Sequence, residues 1–294
     1  AKVWRIFALT GQMRFVAVID DLPDRPQDMD VTLSIAGCRM KPAFFPLPLT
    51  EVSGTARYAS DSVQLFNFRG KHRDAEFIVD RGTVLLKKEG GFWAELNRLR
   101  TRSLTFDVDF LKALPRVLRD ACVCLNLQDP IQSSSRLVID QKPTATAPTV
   151  YWSSLINLEN AKLTAGVELS RVTGKVGCVG LYDEGRIQDI VGRISLSQAF
   201  VFDQPLKDTT ARFAVWKKTP DVLRVWDLQS SLFGGTLGGQ VRIELGSIFR
   251  YEVILKALGV KLEQFGNHNI KDSSDLSREI IAGLYLQGKG EGLN

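Results

Sequence analysis

Apolar and polar residues alternate with a period of two along much of this chain, as in Val31-Leu33-Ile35, Phe77-Val79, Leu104-Phe106-Val108, Phe213-Val215 and Val241-Ile243-Leu245. Successive side chains of a β-strand leave opposite sides of the sheet, so the pattern predicts strands with one apolar face and one wet face. Within Val241–Leu245 the intervening Arg242 and Glu244 take the wet side. Turn chemistry separates the strands at Asp24-Arg25-Pro26, Glu89-Gly90-Gly91, Asp183-Glu184-Gly185 and Thr219-Pro220-Asp221. At 44% hydrophobic and 24% charged residues the chain has the composition of a folded protein, which excludes disordered, collagen-like and coiled-coil classes.

Two short helices are expected to interrupt the strands. Phe110, Leu114, Val117 and Leu118 form one apolar stripe at helical spacing, with Asp107 or Asp109 placed to cap it and Pro115 limiting or kinking it. The second runs from about Ser274 to Ala282, with Leu276, Ile280 and Ile281 on one side. The segment Asp140–Pro148 lacks periodicity and reads as a boundary between two units or as a long surface loop. The expected domains are therefore 1–140, a set of β-meander repeats ending in a short helix, and 149–294, a second set. No run approaches the roughly 20 apolar residues of a membrane-crossing helix, and Ala1–Thr10 lack the layout of a secretory signal. Because the chain starts without Met and stops soon after the strand-like run Leu284–Gly288, it reads as a piece of a longer protein.

Internal repetition strengthens the case for a meander. Leu49-Thr50-Glu51-Val52-Ser53-Gly54 recurs as Leu169-Ser170-Arg171-Val172-Thr173-Gly174, with the same Leu, Val, hydroxyl and Gly at the same offsets. A longer match sets Thr55-Ala56-Arg57-Tyr58-Ala59 and Val63-Gln64-Leu65 beside Thr210-Ala211-Arg212-Phe213-Ala214 and Val222–Val225. Arg69-Gly70 and Gly234-Gly235 follow these as turns. Such a unit, of roughly 40 residues, cannot cover its apolar face alone, so neighbours must continue the sheet. The fold expected is mainly β: an elongated, curved antiparallel meander sheet built from repeats, with two short helices.

The residues of an enzyme are missing from this pattern. His72 and His268 each stand apart from any Cys, His or carboxylate at ligand spacing, and both read as surface residues, so no metal site is expected. No nucleophile elbow, Walker loop or zinc-protease motif occurs. Gly234-Gly235-Thr236-Leu237-Gly238-Gly239 precedes the strand-like Gln240–Leu245 and not a helix, so it reads as a hairpin turn or bulge, not a phosphate cradle. Asp20, Asp21, Asp24, Asp28 and Asp30 lack the glycine and glutamate positions of a calcium loop and read as a solvated turn. The net charge of +5 comes from 38 basic residues interspersed with 33 acidic ones, which gives no reason to expect nucleic acid. Cys38, Cys122, Cys124 and Cys178 read as buried free thiols. No catalytic residues and no cofactor are expected.

The phrase Ala211–Val215 followed by Leu223–Ile243, in which a strand leads through Leu232-Phe233-Gly234-Gly235 into the next strand, resembles the repeated phrase of AsmA-like (AsmA/TamB-type) envelope proteins. Tyr251–Phe265, a following helix, and Leu284-Leu286-Gly288-Gly290 at alternate positions are similar to the C-terminal pattern of the same family. The resemblance implies a periplasmic protein tethered to the inner membrane by a segment absent from this chain. It implies a hydrophobic groove that binds or conducts phospholipid or another acyl lipid between membranes and supports outer-membrane biogenesis. The candidate lining residues are Val63, Leu65, Phe213, Val215, Val241, Ile243, Val253 and Leu255; alternatively these fill a closed core. Gly54, Gly174, Gly234, Gly235, Gly238 and Gly239 are assigned to turns. The competing reading is a structural or assembly scaffold that binds envelope proteins through exposed sheet edges.

Overall fold

A computed structural model of the protein describes residues 8–20, 28–164, 167–261, 263–264 and 279–291. Among them the chain is mainly β. The first half carries β1 (Met13–Asp20), β2 (Asp28–Met40), β3 (Leu49–Ala59), β4 (Ser62–His72), β5 (Ala75–Leu86), β6 (Phe92–Leu104) and β7 (Ile131–Gln141). The second carries β8 (Thr149–Thr164), β9 (Glu168–Asp183), β10 (Arg186–Val201), β11 (Gln204–Trp216), β12 (Thr219–Leu232), β13 (Gly235–Glu244), β14 (Ile248–Lys261) and β15 (Glu279–Glu291). These strands form one 15-stranded sheet in which each strand neighbours the next in sequence, from β1 to β15, and the first and last are not paired with each other. The architecture is an unclosed antiparallel meander, as the alternation and the repeats predict.

The chain packs as two compact units. One takes in Ala1–Pro115, Pro130–Leu155 and Val179–Ile187; the other takes in Arg116–Asp129, Ile156–Cys178 and Gln188–Asn294. Residues 142–148 join β7 to β8 within the first unit. One of that unit's cores gathers Val84, Phe92, Ala94 and Ile139, and another gathers Ile35, Cys38 and Val52.

The strands are not uniform two-residue ladders. Several contain a bulge at which buried residues stand three apart and the residue before the second has positive φ. Ile35 and Cys38 flank Gly37 (φ 66°), Leu158 and Ala161 flank Asn160 (φ 53°), and Ala257 and Val260 flank Gly259 (φ 65°). Thr101 and Leu104 flank Ser103 (φ 53°), and Leu206 and Thr209 flank Asp208 (φ 52°). The pairing register shifts at Ile35/Cys38, at Thr101/Leu104 and at Ala257/Val260. One extra residue resets which side chains face inward and bends the strand locally. The short internal repeat is the same device used twice: Glu51 and Arg171 both have φ 51°, and Gly54 and Gly174 have φ 154° and 153°. Val52 and Val172 are each 1% exposed. Gly54 and Gly174 thus lie inside β3 and β9 and not at turns, held there by a backbone conformation that L side chains rarely adopt.

The first predicted helix is two. Helix α1 (Val108–Ala113) is capped by Asp107, whose carboxylate accepts the Phe110 amide at 2.9 Å. It stops at Leu114 (φ −78°, ψ 147°), the extended conformation favoured before proline, and α2 (Arg116–Leu125) begins after Pro115. Leu104-Phe106-Val108 is therefore not a strand: Leu104 ends β6 and Val108 opens α1. Residues 279–282 of the second predicted helix lie in β15; Ser274 to Arg278, including Leu276, lie outside the described residues, as do His268 and the turn Asp24-Arg25-Pro26. Thr219-Pro220-Asp221 opens β12, and the turn is formed by Lys217 and Lys218 just before it.

Candidate functional site

The apolar face of the second unit is built by register. Across β10 to β15, Gly192, Phe213, Val225, Val241, Val253 and Leu286 stand directly opposite one another in turn, so all six share one side of the sheet. The adjacent row runs Leu223, Ile243, Tyr251 and Gly288. A Cβ on Gly192 would stand 2.3 Å from the tip of the Phe213 ring, so the aromatic lies over the glycine of the neighbouring strand. Four of the predicted lining residues are buried here: Val215 is 3% exposed, Val241 9%, Ile243 1% and Val253 2%. Phe213 and Leu255 are half-buried.

In the first unit Val63 and Leu65 of β4 are also half-buried, and both pack against the core of Val84, Phe92, Ala94 and Ile139. The eight candidates thus divide into four enclosed residues and four that keep part of their surface. Of the assigned turn glycines, Gly234 (φ 74°) forms the β12–β13 turn after Phe233 (φ 47°), the two positive φ values a two-residue hairpin requires, and Gly235 opens β13. Gly238 and Gly239 lie within β13 and not in a turn; a Cβ on Gly239 would stand 2.2 Å from the Ile254 carbonyl oxygen.

Polar chemistry gathers at one place that sequence spacing does not reveal. His72 is 5% exposed, not a surface residue. Its Nδ1 lies 2.9 Å from the Pro48 carbonyl oxygen and its Nε2 3.0 Å from Asp107 Oδ2. Both oxygens only accept, so the ring makes both bonds when both nitrogens carry hydrogen. Arg73 Nε stands 3.0 Å from Asp107, and its Nη2 stands 3.3 Å from Asp109. His72, Asp107 and Asp109 bring ligand atoms within 4.8 Å of one another, a spacing that could hold a metal ion. The Arg73 guanidinium already places a cation against both carboxylates, and Asp107 is committed to capping α1. The cluster reads as a structural clasp joining the end of β4 to the start of α1.

Burial raises the thiol of Cys122 to about 12 and that of Cys124 to about 11, so neither is a ready nucleophile at neutral pH. Asp30, from the acidic run, is engaged by Arg57, whose Nε donates to it at 2.9 Å. Asp21 and Asp24 lie outside the described residues.

Together the fold and these sites define a class: an open β-meander with strands of unlike faces, in which polar clusters brace structure. Comparison with family models, with curated proteins and with solved structures finds no match to this chain.

Proposed function

We propose that the chain is a non-enzymatic segment of an AsmA-like envelope protein, whose apolar sheet face binds or conducts phospholipid acyl chains between membranes in support of outer-membrane biogenesis. It acts in the periplasm, tethered to the inner membrane by a segment outside this chain. One observation carries the reading: strand after strand of a single unclosed meander puts aliphatic and aromatic side chains on the same side, as in the row Phe213, Val225, Val241, Val253 and Leu286. The half-buried Val63 and Leu65 of the first unit and Phe213 and Leu255 of the second are the positions an acyl chain meets, whereas Val215, Val241, Ile243 and Val253 are enclosed.

The physical task needs no reacting group. Exposing the roughly 30 methylenes of a diacyl lipid to water costs about 24 kcal/mol at ~0.8 kcal/mol each, and an apolar surface removes much of that barrier. Native mass spectrometry of the purified chain tests the reading. Phospholipid carried through purification is the expected result; a lipid-free chain that takes up no added phospholipid overturns it.

A second reading, a scaffold that binds envelope proteins by strand addition, is favoured by the sheet's end strands. In β1 Phe15 is 71% exposed and Val18 63%, and in β15 Ile281 is 73% exposed. Among the described residues β1 and β15 each have one partner strand, and apolar end strands recruit other strands. Crosslinks to an envelope protein that map to β1 or β15, in a lipid-free chain, are the outcome this reading expects.

A further inference from the structure

The wet face of β10–β13 is not a neutral mixture of charges. Arg193 stands directly opposite Arg212, and Arg224 directly opposite Arg242. All four are exposed. Like charges facing each other across strands destabilise a sheet, so two such pairs side by side need a compensating role. Asp227 approaches Arg212 at 3.6 Å, Glu244 approaches Arg242 at 2.8 Å, and Glu252 stands opposite Arg242. Among the described residues no carboxylate forms an ion pair with the side-chain cation of Arg193, Arg224, Lys217 or Lys218; the nearby Asp189, opposite Trp216, instead accepts the Lys217 backbone amide at 3.3 Å.

Two tryptophans share this face. Trp226 stands opposite Arg212 and stacks on Trp216 with ring centroids 5.6 Å apart. Trp216 is 37% exposed, and the Arg224 guanidinium lies 5.7 Å from its ring. Arginine forks match phosphate oxygens in pairs, and tryptophan settles at the level of lipid headgroups. The tryptophans are stacked on each other and approached by Arg224, so they do not offer the free ring face on which a nucleic-acid base stacks. The cations are also spread over adjacent strands and do not follow one track.

We propose that the Arg193–Arg212–Arg224–Arg242 face, with Trp216 and Trp226, docks on the phosphate layer of an anionic phospholipid membrane. This is the side of the sheet opposite the second unit's acyl-binding candidates Phe213, Val241 and Val253, because Arg212 and Phe213 are consecutive in β11. The proposal does not depend on the acyl reading.

Vesicle co-sedimentation of the full chain tests it, using phosphatidylcholine vesicles with and without phosphatidylglycerol. Binding to the anionic vesicles alone is expected, weakened by salt and by about fivefold for each of Arg193→Gln and Arg224→Gln. Each of these variants removes a like-charge pair, so its melting temperature is expected to equal or exceed that of the parent, which separates lost binding from lost folding. Equal binding by the double variant, absence of binding to anionic vesicles, or tighter binding to single-stranded DNA than to vesicles overturns the proposal. A chain that carries no acyl lipid yet sediments with anionic vesicles refutes the acyl reading and leaves this one standing.

Discussion

At the scale of single residues, Asp107 carries the most. Burial alone would raise its carboxyl. The Phe110 amide, the His72 ring and the Arg73 guanidinium outweigh that and hold it below its ordinary value of 3.8. A lowered carboxyl stabilises the fold at pH values above the ordinary value, and the contribution fades as the pH falls through the lowered one. Replacing Asp107 with Ala therefore lowers stability by about 1 kcal/mol or more at neutral pH, through the lost cap and its paired contacts. Thermal melts of the two proteins at decreasing pH are expected to converge in strong acid. The raised thiols of Cys122 and Cys124 predict slow alkylation by iodoacetamide at pH 8 in the folded chain and fast alkylation once denatured, read by mass spectrometry. The Asp107 cap and the free thiols were legible in the sequence; the contact of Asp107 with His72 was not. His72 and Asp107 are 35 positions apart with β5 and β6 between them, and no local spacing reports a contact made by strands returning.

At the scale of the element, the strands were legible and their bulges were not. The alternation in Val31-Leu33-Ile35 and Val241-Ile243 marks β2 and β13 directly. It breaks at each bulge, where the inward series jumps by three, as from Leu158 to Ala161. The signal was present in residue type: Gly37, Gly259, Asn160 and Asp208 are residues that tolerate positive φ, each set two places after a buried residue. Gly259→Val is thus expected to destabilise by about 1–2 kcal/mol, because a β-branched side chain opposes that conformation. Glu51→Gly, at φ 51°, is expected to be near neutral or stabilising. Denaturant melts check both. The second helix shows the opposite failure. Ile280 and Ile281 fit a helical stripe by type, yet Ile280 pairs with Val260 in a ladder whose register is fixed by β14. Tertiary pairing overrode a short local pattern. For the enclosed apolar row, Ile243→Ala is expected to cost about 2–5 kcal/mol in the same melts.

At the scale of the whole molecule, the repeats carried the inference to a meander. The Thr55–Leu65 and Thr210–Val225 phrases fall in matching hairpins, β3–β4 and β11–β12. What the sequence could not settle was which apolar positions the chain covers with its own side chains, since alternation marks the inward face without saying what lies over it. Val253 and Leu255 look alike in the sequence and differ in the structure, one enclosed and one half-buried. The account stands on the accessible part of that face meeting lipid. A photoactivatable residue placed at Leu65, Phe213 or Leu255, and for comparison at their outward neighbours Gln64, Arg212 and Ile254, tests this most directly in cells making the full-length protein. The account predicts adducts on phospholipid acyl chains at the first three positions and few or none on acyl chains at the second three, where Arg212 of the membrane-docking face meets headgroups. Acyl-chain adducts of equal yield on both sets, or none on either, would contradict it.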